Sequence, residues 1–128
     1  MRLLLDTCAV IDIMTDYESL SKEFKDIYDD PENILYASTE TERELVVAFN
    51  NKRLLSKYFK TADDLLWNLQ KHHDIHILSV TDAIMHTYAN LELNEAQEHH
   101  DPSDHVIISH AITERLTLLS SDAKFPFY

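Results

Sequence analysis

The stretch Arg2-Leu3-Leu4-Leu5-Asp6-Thr7 places a short apolar run directly before a carboxylate, near the start of the chain. A run of this length, bounded by polar residues, is typical of a buried β-strand. Three later segments have the same character. We therefore predict four strands, at Arg2–Asp6, Ile34–Ser38, Ile75–Leu78 and Thr117–Ser120.

The longer segments between these strands have apolar residues at helical spacing. They predict helices over residues 18–30, 41–51, 62–72, 81–90 and 103–114. Strands that are separated by helices need crossover connections, so the sheet should be mostly parallel and covered on both faces. The fold class is therefore α/β, in a single domain over residues 1–128. Without glycine, we expect Asn51, Asn90 and Asn94 to provide left-handed helix ends.

Composition excludes several functions. The 128 residues include no glycine, which removes the phosphate-binding P-loop, the dinucleotide fingerprint and the serine-hydrolase elbow. A net charge of −12 opposes nonspecific adhesion to nucleic acid or anionic membrane. The single cysteine, Cys8, cannot form an internal disulfide, and we expect it to be buried and inert. With no signal-peptide core and no membrane-spanning run, we expect a cytoplasmic protein.

Three acids follow predicted strands, and a fourth lies at the start of the helix that precedes the last strand. Asp6 ends the first strand, Glu44 follows the second, Asp104 begins the apolar stripe of the last helix, and Asp122 follows the last strand. The carboxyl ends of parallel strands share one edge, where ligands bind. Two charges about 4 Å apart would repel by about 4 kcal/mol at an effective dielectric near 20. The acids should therefore either have raised pKa values or surround a divalent ion.

An all-oxygen set of side chains selects Mg²⁺ or Mn²⁺ over Zn²⁺. Such an ion would lower the pKa of a water and neutralise charge on phosphate oxygens, so hydrolysis of a phosphate ester is the favoured chemistry. The segment 43–60 holds five basic residues and one acid, which offers phosphate contacts beside this site. Its basic side chains are Arg43, Lys52, Arg53, Lys57 and Lys60, with Tyr58 and Phe59 as stacking surfaces.

Four motifs occur in the order and spacing of PIN-domain ribonucleases. They are Leu3-Leu4-Leu5-Asp6-Thr7, Ser38-x-x-Thr41-x-x-Glu44, the segment 99–108 with Asp101-Pro102-Ser103-Asp104, and Leu118-Leu119-Ser120-Ser121-Asp122. The chain most resembles the VapC-like toxins of toxin–antitoxin pairs. Two positions depart from the family pattern: Arg43 stands where a bulky apolar residue is common, and Lys52 where glycine is common.

The resemblance implies a three-layer α/β/α sandwich with a central, mostly parallel sheet of four to five strands. It also implies a Mg²⁺-dependent endoribonuclease with Asp6, Glu44, Asp104 and Asp122 around the metal. It further implies that Ser120 is a polar helper near the last acid. Apart from the resemblance, we expect Thr7 to be a polar helper, and Asp101 to be either a helix cap or a partner of the metal ligands. A homodimer and an antitoxin that blocks the site are implied as well.

Alternative interpretations remain open. Instead of binding a metal, Asp6 and Asp101 could simply cap helices, and Asp122 could simply stabilise a turn. The doublet His100-Asp101 suggests an all-helical HD-type metal phosphohydrolase, although Pro102 places it at a helix start. A PIN-shaped module that only binds a partner is the other alternative. We expect His99, His100 and His105 not to be ligands, and Leu65, Leu66, Trp67 and Leu69 to form core or dimer surface.

Overall fold

The computed structural model describes residues 1–52, 55–92 and 101–121, apart from the side chain of Lys52. Its strands are short and lie where the apolar runs predict them. They are β1 (Arg2–Leu5), β2 (Ile34–Ser38), β3 (His76–Leu78) and β4 (Thr117–Leu119). Arg53, Asn94, His99, His100 and Asp122 lie outside the described residues.

The strands form one parallel sheet in the order β3-β2-β1-β4. β1 is central, with Leu5 opposite Ala37 of β2 on one side and Leu119 of β4 on the other. The predicted α/β class is confirmed. A parallel sheet also rules out the HD-type alternative, which requires an all-helical fold.

Helices connect the strands and cover both faces of the sheet. They are α1 (Thr7–Thr15), α2 (Lys22–Asp29), α3 (Thr39–Val47), α4 (Ala62–Lys71), α5 (Asp82–Ala89) and α6 (Pro102–Glu114). A short 3₁₀ turn (Tyr17–Ser19) precedes α2, and a π-helical turn (Ala48–Lys52) follows α3. The predicted helix over residues 18–30 is shorter in the structure because Ser21 caps α2, accepting a hydrogen bond from the Phe24 N–H.

Alternate side chains of β1 point into two separate apolar clusters. Leu3 and Leu5 pack with helices α1 to α4 on one face, while Leu4 packs with Ile107 of α6 on the other. Helix α5 lies against α6 and extends that second layer. The three-layer α/β/α sandwich is thus built around a strand whose two faces are both buried.

The predicted left-handed helix ends are wrong for the described asparagines. Among the described residues, only Asp74 and Arg115 have positive φ, at 51° and 56°. Arg115 ends α6 in a Schellman arrangement, in which the Leu116 N–H donates to the Ala111 carbonyl at 2.9 Å. This turn directs Leu116 into the apolar cluster. The left-handed conformation of Arg115 is therefore set by the burial of Leu116. Asn90 instead keeps φ at −105°.

The expectation that Cys8 is buried is wrong. Cys8 is exposed, because it lies on the outer side of the first turn of α1 whereas Ala9 and Val10 point inward. Helix α4 is expected to form core or dimer surface, and its Leu65 and Leu69 are buried in the core. Trp67 is 52% exposed and stacks under the Lys71 ammonium, so it is not a core residue, and a dimer surface at this position stays a prediction. No helix in the described part of the chain is long and apolar enough to cross a membrane.

His110 is a buried polar residue that links α6 to the end of β2. Its Nδ1 hydrogen-bonds to Ser38 Oγ at 3.0 Å, and Ser38 Oγ also accepts from the Glu40 N–H to cap α3. Within residues 1–52, 55–92 and 101–121, His110 Nε2 has no hydrogen-bond partner. Burial lowers the pKa of His110, and this outweighs the opposing effect of Glu114.

We predict that His110 makes the protein less stable in mild acid. Because its pKa is lowered by folding, the unfolded chain takes up the proton first, and stability falls as the pH drops below about 6.5. His110→Asn keeps a group able to bond Ser38 and should flatten this fall in urea unfolding between pH 7.5 and 5.5. The exposed His86→Asn variant is the control for the loss of one histidine at the surface. An unchanged pH dependence in His110→Asn would contradict the prediction.

Candidate metal and nucleic-acid site

The candidate site lies at the carboxyl ends of the strands, between β1 and β4. The chain passes from β1 to β2 and β3 on one side, then crosses back to place β4 on the other side of β1. A gap opens at such a switch of direction, and ligands of parallel α/β sheets bind there. Asp6 follows β1 directly and Ser120 follows β4 directly, so both residues border this gap.

Asp6 is held rigidly at the start of α1. Its Oδ1 accepts a hydrogen bond from the Ala9 N–H at 2.8 Å, and its Oδ2 accepts one from the Ser120 hydroxyl. The Asp6 N–H itself donates to the Leu119 carbonyl at 3.2 Å. Only 1% of Asp6 is exposed. These hydrogen bonds fix the Asp6 carboxylate at the edge of the sheet.

The hydroxyls of Thr41 and Thr7 form a short hydrogen-bonded chain that ends at Glu44. Thr7 Oγ1 donates to Glu44 Oε1 at 2.5 Å and lies 3.1 Å from Thr41 Oγ1. Because a hydroxyl has one proton, Thr41 is the donor in the second bond. Thr7 of α1 therefore orients the Glu44 side chain of α3, which places the second predicted acid beside the first helix.

The surroundings of Glu44 disfavour its ionised form. Burial raises its pKa, and the charges of Asp101, Asp104 and Glu40 raise it further, against the hydrogen bond from Thr7, which lowers it. Asp101 and Asp104 belong to the start of α6, where Asp101 caps the helix by accepting from the Ser103 N–H at 2.9 Å. The fold thus brings carboxylates of α3 and α6 close enough to interact.

Arg43, expected to contact RNA, is engaged with other residues of the site. Its Nε donates to Glu40 at 3.2 Å and its Nη2 donates to Ser103 Oγ at 2.8 Å. The Ser103 hydroxyl in turn donates to Glu40 Oε2 at 2.7 Å. The three residues form a closed set of hydrogen bonds between α3 and α6, which we call the Glu40–Arg43–Ser103 cluster.

This cluster is not predicted from the sequence. By local pattern, Glu40 is only a neighbouring acid of Glu44, and Ser103 only part of a helix start. The three-residue spacing of Glu40 and Arg43 in a helix is a signal for an ion pair. Nothing local indicates that Ser103, 60 residues after Arg43, completes the set.

The structure describes only some of the other basic side chains of segment 43–60. Lys57 and Lys60 are exposed, whereas Arg53 and the side chain of Lys52 lie outside what the structure describes. Tyr58 is 54% exposed and available for stacking, while Phe59 packs against the main apolar cluster. The role of these residues towards RNA stays a prediction.

The chemistry of the donors fits a hard divalent ion, since every acid at this edge supplies oxygen. Among the residues that the structure describes, no three Asp, Glu, His or Cys side chains are grouped closely enough to hold a metal ion. Asp122, the fourth predicted ligand, is outside those residues. Asp6, Glu44 and Asp104 border the same edge of the sheet, and their assignment as ligands stays a prediction.

We predict that Glu44→Gln makes the metal-free protein more stable at neutral pH. The raised pKa of Glu44 means that folding favours the protonated side chain. The stabilisation that this gives the folded state is fully present below about pH 4.3 and is lost as the pH rises through the folded-state pKa. Glutamine imitates the protonated form and still accepts from Thr7. In urea unfolding with EDTA, the variant should exceed wild type at pH 7.5, and the difference should vanish near pH 4. The exposed Glu32→Gln is the matched control, and a Glu44→Gln variant less stable than wild type at pH 7.5 would refute this.

Comparisons with known proteins agree with this architecture. The structure is similar to a crystal structure of VapBC2 from Rickettsia felis bound to a DNA fragment from their promoter. The TM-score is 0.70 at 18% identity, over 99% of this chain and 92% of that chain. A toxin–antitoxin complex from Klebsiella pneumoniae is similar with a TM-score of 0.52 at 17% identity, over 91% of this chain and 82% of that one.

No curated protein matches the chain by sequence. At 17–18% identity, the structural likeness concerns the fold. The model of the PIN domain matches residues 3–127, which is nearly the whole chain. The motif order, the parallel sheet and this match agree, and the chain therefore belongs to the PIN domain family.

Proposed function

We propose that this protein is a Mg²⁺-dependent endoribonuclease, with Mn²⁺ as an alternative ion. One observation supports the proposal most strongly: hydrogen bonds hold Asp6 after β1 and Glu44 of α3 at the edge of the sheet where α6 begins, with Asp104 in its first turn. Like charges brought together from separate helices destabilise a fold unless protonation or a bound cation compensates them, and a divalent cation compensates several carboxylates at once. Asp6, Glu44, Asp104 and Asp122 would hold the ion.

A bound divalent ion lowers the pKa of water and neutralises charge on the phosphate oxygens. The residues of the chain then have separate tasks. Ser120 and the Ala9 N–H fix the Asp6 carboxylate, and Thr7 orients Glu44. The exposed Lys57 and Lys60 would contact the phosphates of a single-stranded or looped RNA.

We further propose that the nuclease is the toxin of a toxin–antitoxin pair. The support is the fold, which is similar to proteins solved as toxin–antitoxin complexes. Its partner would be an antitoxin that covers the acidic edge and keeps RNA away from it. A homodimer remains an expectation from the resemblance.

Thermal melting tests metal binding. We expect Mg²⁺ or Mn²⁺ to raise the midpoint, because an ion that binds only the folded state stabilises it by about 2.7 kcal/mol at 100 times its Kd. Asp6→Asn should abolish the increase. Asp74→Asn is the matched control: Asp74 is exposed, precedes β3 at the opposite edge of the sheet, and has a positive φ that asparagine tolerates. This control should respond to metal like wild type.

RNA cleavage tests the reaction itself. When the purified protein is incubated with total RNA and Mn²⁺, we expect the RNA to be cleaved, and EDTA should stop the cleavage. Asp104→Asn should lose at least about 100-fold, more than the 10–100-fold cost of losing a residue that only supports a ligand. Cleavage that survives EDTA, or an undiminished Asp104→Asn variant, would overturn the mechanism. An unaltered melting midpoint together with no cleavage would instead favour the PIN-shaped binding module.

A further inference from the structure

The Glu40–Arg43–Ser103 cluster joins the two helices that supply acids to the site. Glu40 and Arg43 lie in the first turns of α3, and Ser103 is in the first turn of α6. Ser103 is 7% exposed. Its hydroxyl accepts from Arg43 and donates to Glu40, so it uses its only proton within the cluster.

The cluster is adjacent to both acids along the chain. Glu40 is one helical turn before Glu44, on the same side of α3, and Ser103 directly precedes Asp104. The position of Ser103 against α3 therefore constrains how far Asp104 can lie from Glu44. Repulsion among Glu44, Asp101 and Asp104 acts in the opposite direction and would drive the helix starts apart.

The charges within the cluster are compensated. Burial would raise the pKa of Glu40, but the hydrogen bonds from Arg43 and Ser103, with the Arg43 charge, lower it overall. Glu40 therefore stays ionised as the partner of a guanidinium that binds it through two nitrogens, a geometry that lysine cannot reproduce. The cluster is a directional link, and its hydroxyl arm can be removed without any change in charge.

We propose that the Glu40–Arg43–Ser103 cluster positions Glu44 and Asp104 for the divalent ion by tying the start of α6 to α3. Its members are positioning residues, because they act through Glu44 and Asp104. The inference rests on the proposed function and deepens it. It also gives Arg43, which departs from the family pattern, a task within the protein in addition to the expected contact with RNA.

Isothermal titration of the full-length chain with MnCl₂ tests the proposal. Ser103→Ala removes the hydroxyl and keeps every charge, and we expect its Kd for Mn²⁺ to rise about 10-fold, as for other residues that support metal ligands. Ser103→Thr keeps the hydroxyl and should restore the wild-type Kd. Ser109→Ala is the matched control in the same helix, because Ser109 donates only to the His105 carbonyl within α6. Its Kd should equal that of wild type.

Arg43→Lys provides a second variant at an exposed position, in case Ser103→Ala loses its native circular dichroism spectrum. Lysine keeps the charge but cannot reproduce the contact of the guanidinium with Glu40 through two nitrogens, so we again expect about 10-fold weaker Mn²⁺ binding. Wild-type affinity in the folded Ser103→Ala or Arg43→Lys variant would overturn the positioning role alone. A wild-type chain that binds no Mn²⁺ would overturn the proposed function, and the positioning role with it.

Discussion

The parallel pairing of β1 with β2 and β4 is the constraint on which the structure depends. It makes β1 the central strand, buried on both faces, and it brings the end of β4 beside Asp6. Every element that contributes to the site is positioned relative to this strand. Asp6 and Thr7 follow it directly, Ser120 follows its neighbour, and α3 and α6 begin at the same edge.

The acidic edge is costly for the fold, and local devices reduce that cost. Asp6 is compensated by the Ala9 N–H at the start of α1 and by Ser120. Glu44 receives one hydrogen bond from Thr7, which does not outweigh burial and its acidic neighbours. Functional sites commonly keep charged side chains that make the folded state less stable, because activity and stability often place opposite demands on the same residues.

Much of the fold and part of the site could be predicted from local pattern. Strand positions followed from the apolar runs, since burial on both faces demands nearly continuous apolar residues. Asp101 as a helix cap followed from Asp-Pro at a helix start. The exposure of Cys8 could not be predicted, because it depends on which side of α1 meets the sheet. The left-handed Arg115 was also missed, since the direction of the chain after α6, and not residue preference, decides that turn.

The sequence by itself determined the α/β class, the PIN-like motif order and the identity of the acids that follow the strands. It could do so because periodicity, helix caps and short motifs depend on neighbours within a few residues. Only the tertiary structure decided that Thr7 would orient Glu44, that Arg43 would bind Ser103, and that His110 would bond Ser38. Those contacts join residues 37 to 72 positions apart, and their geometry exists only after the helices have packed on the sheet.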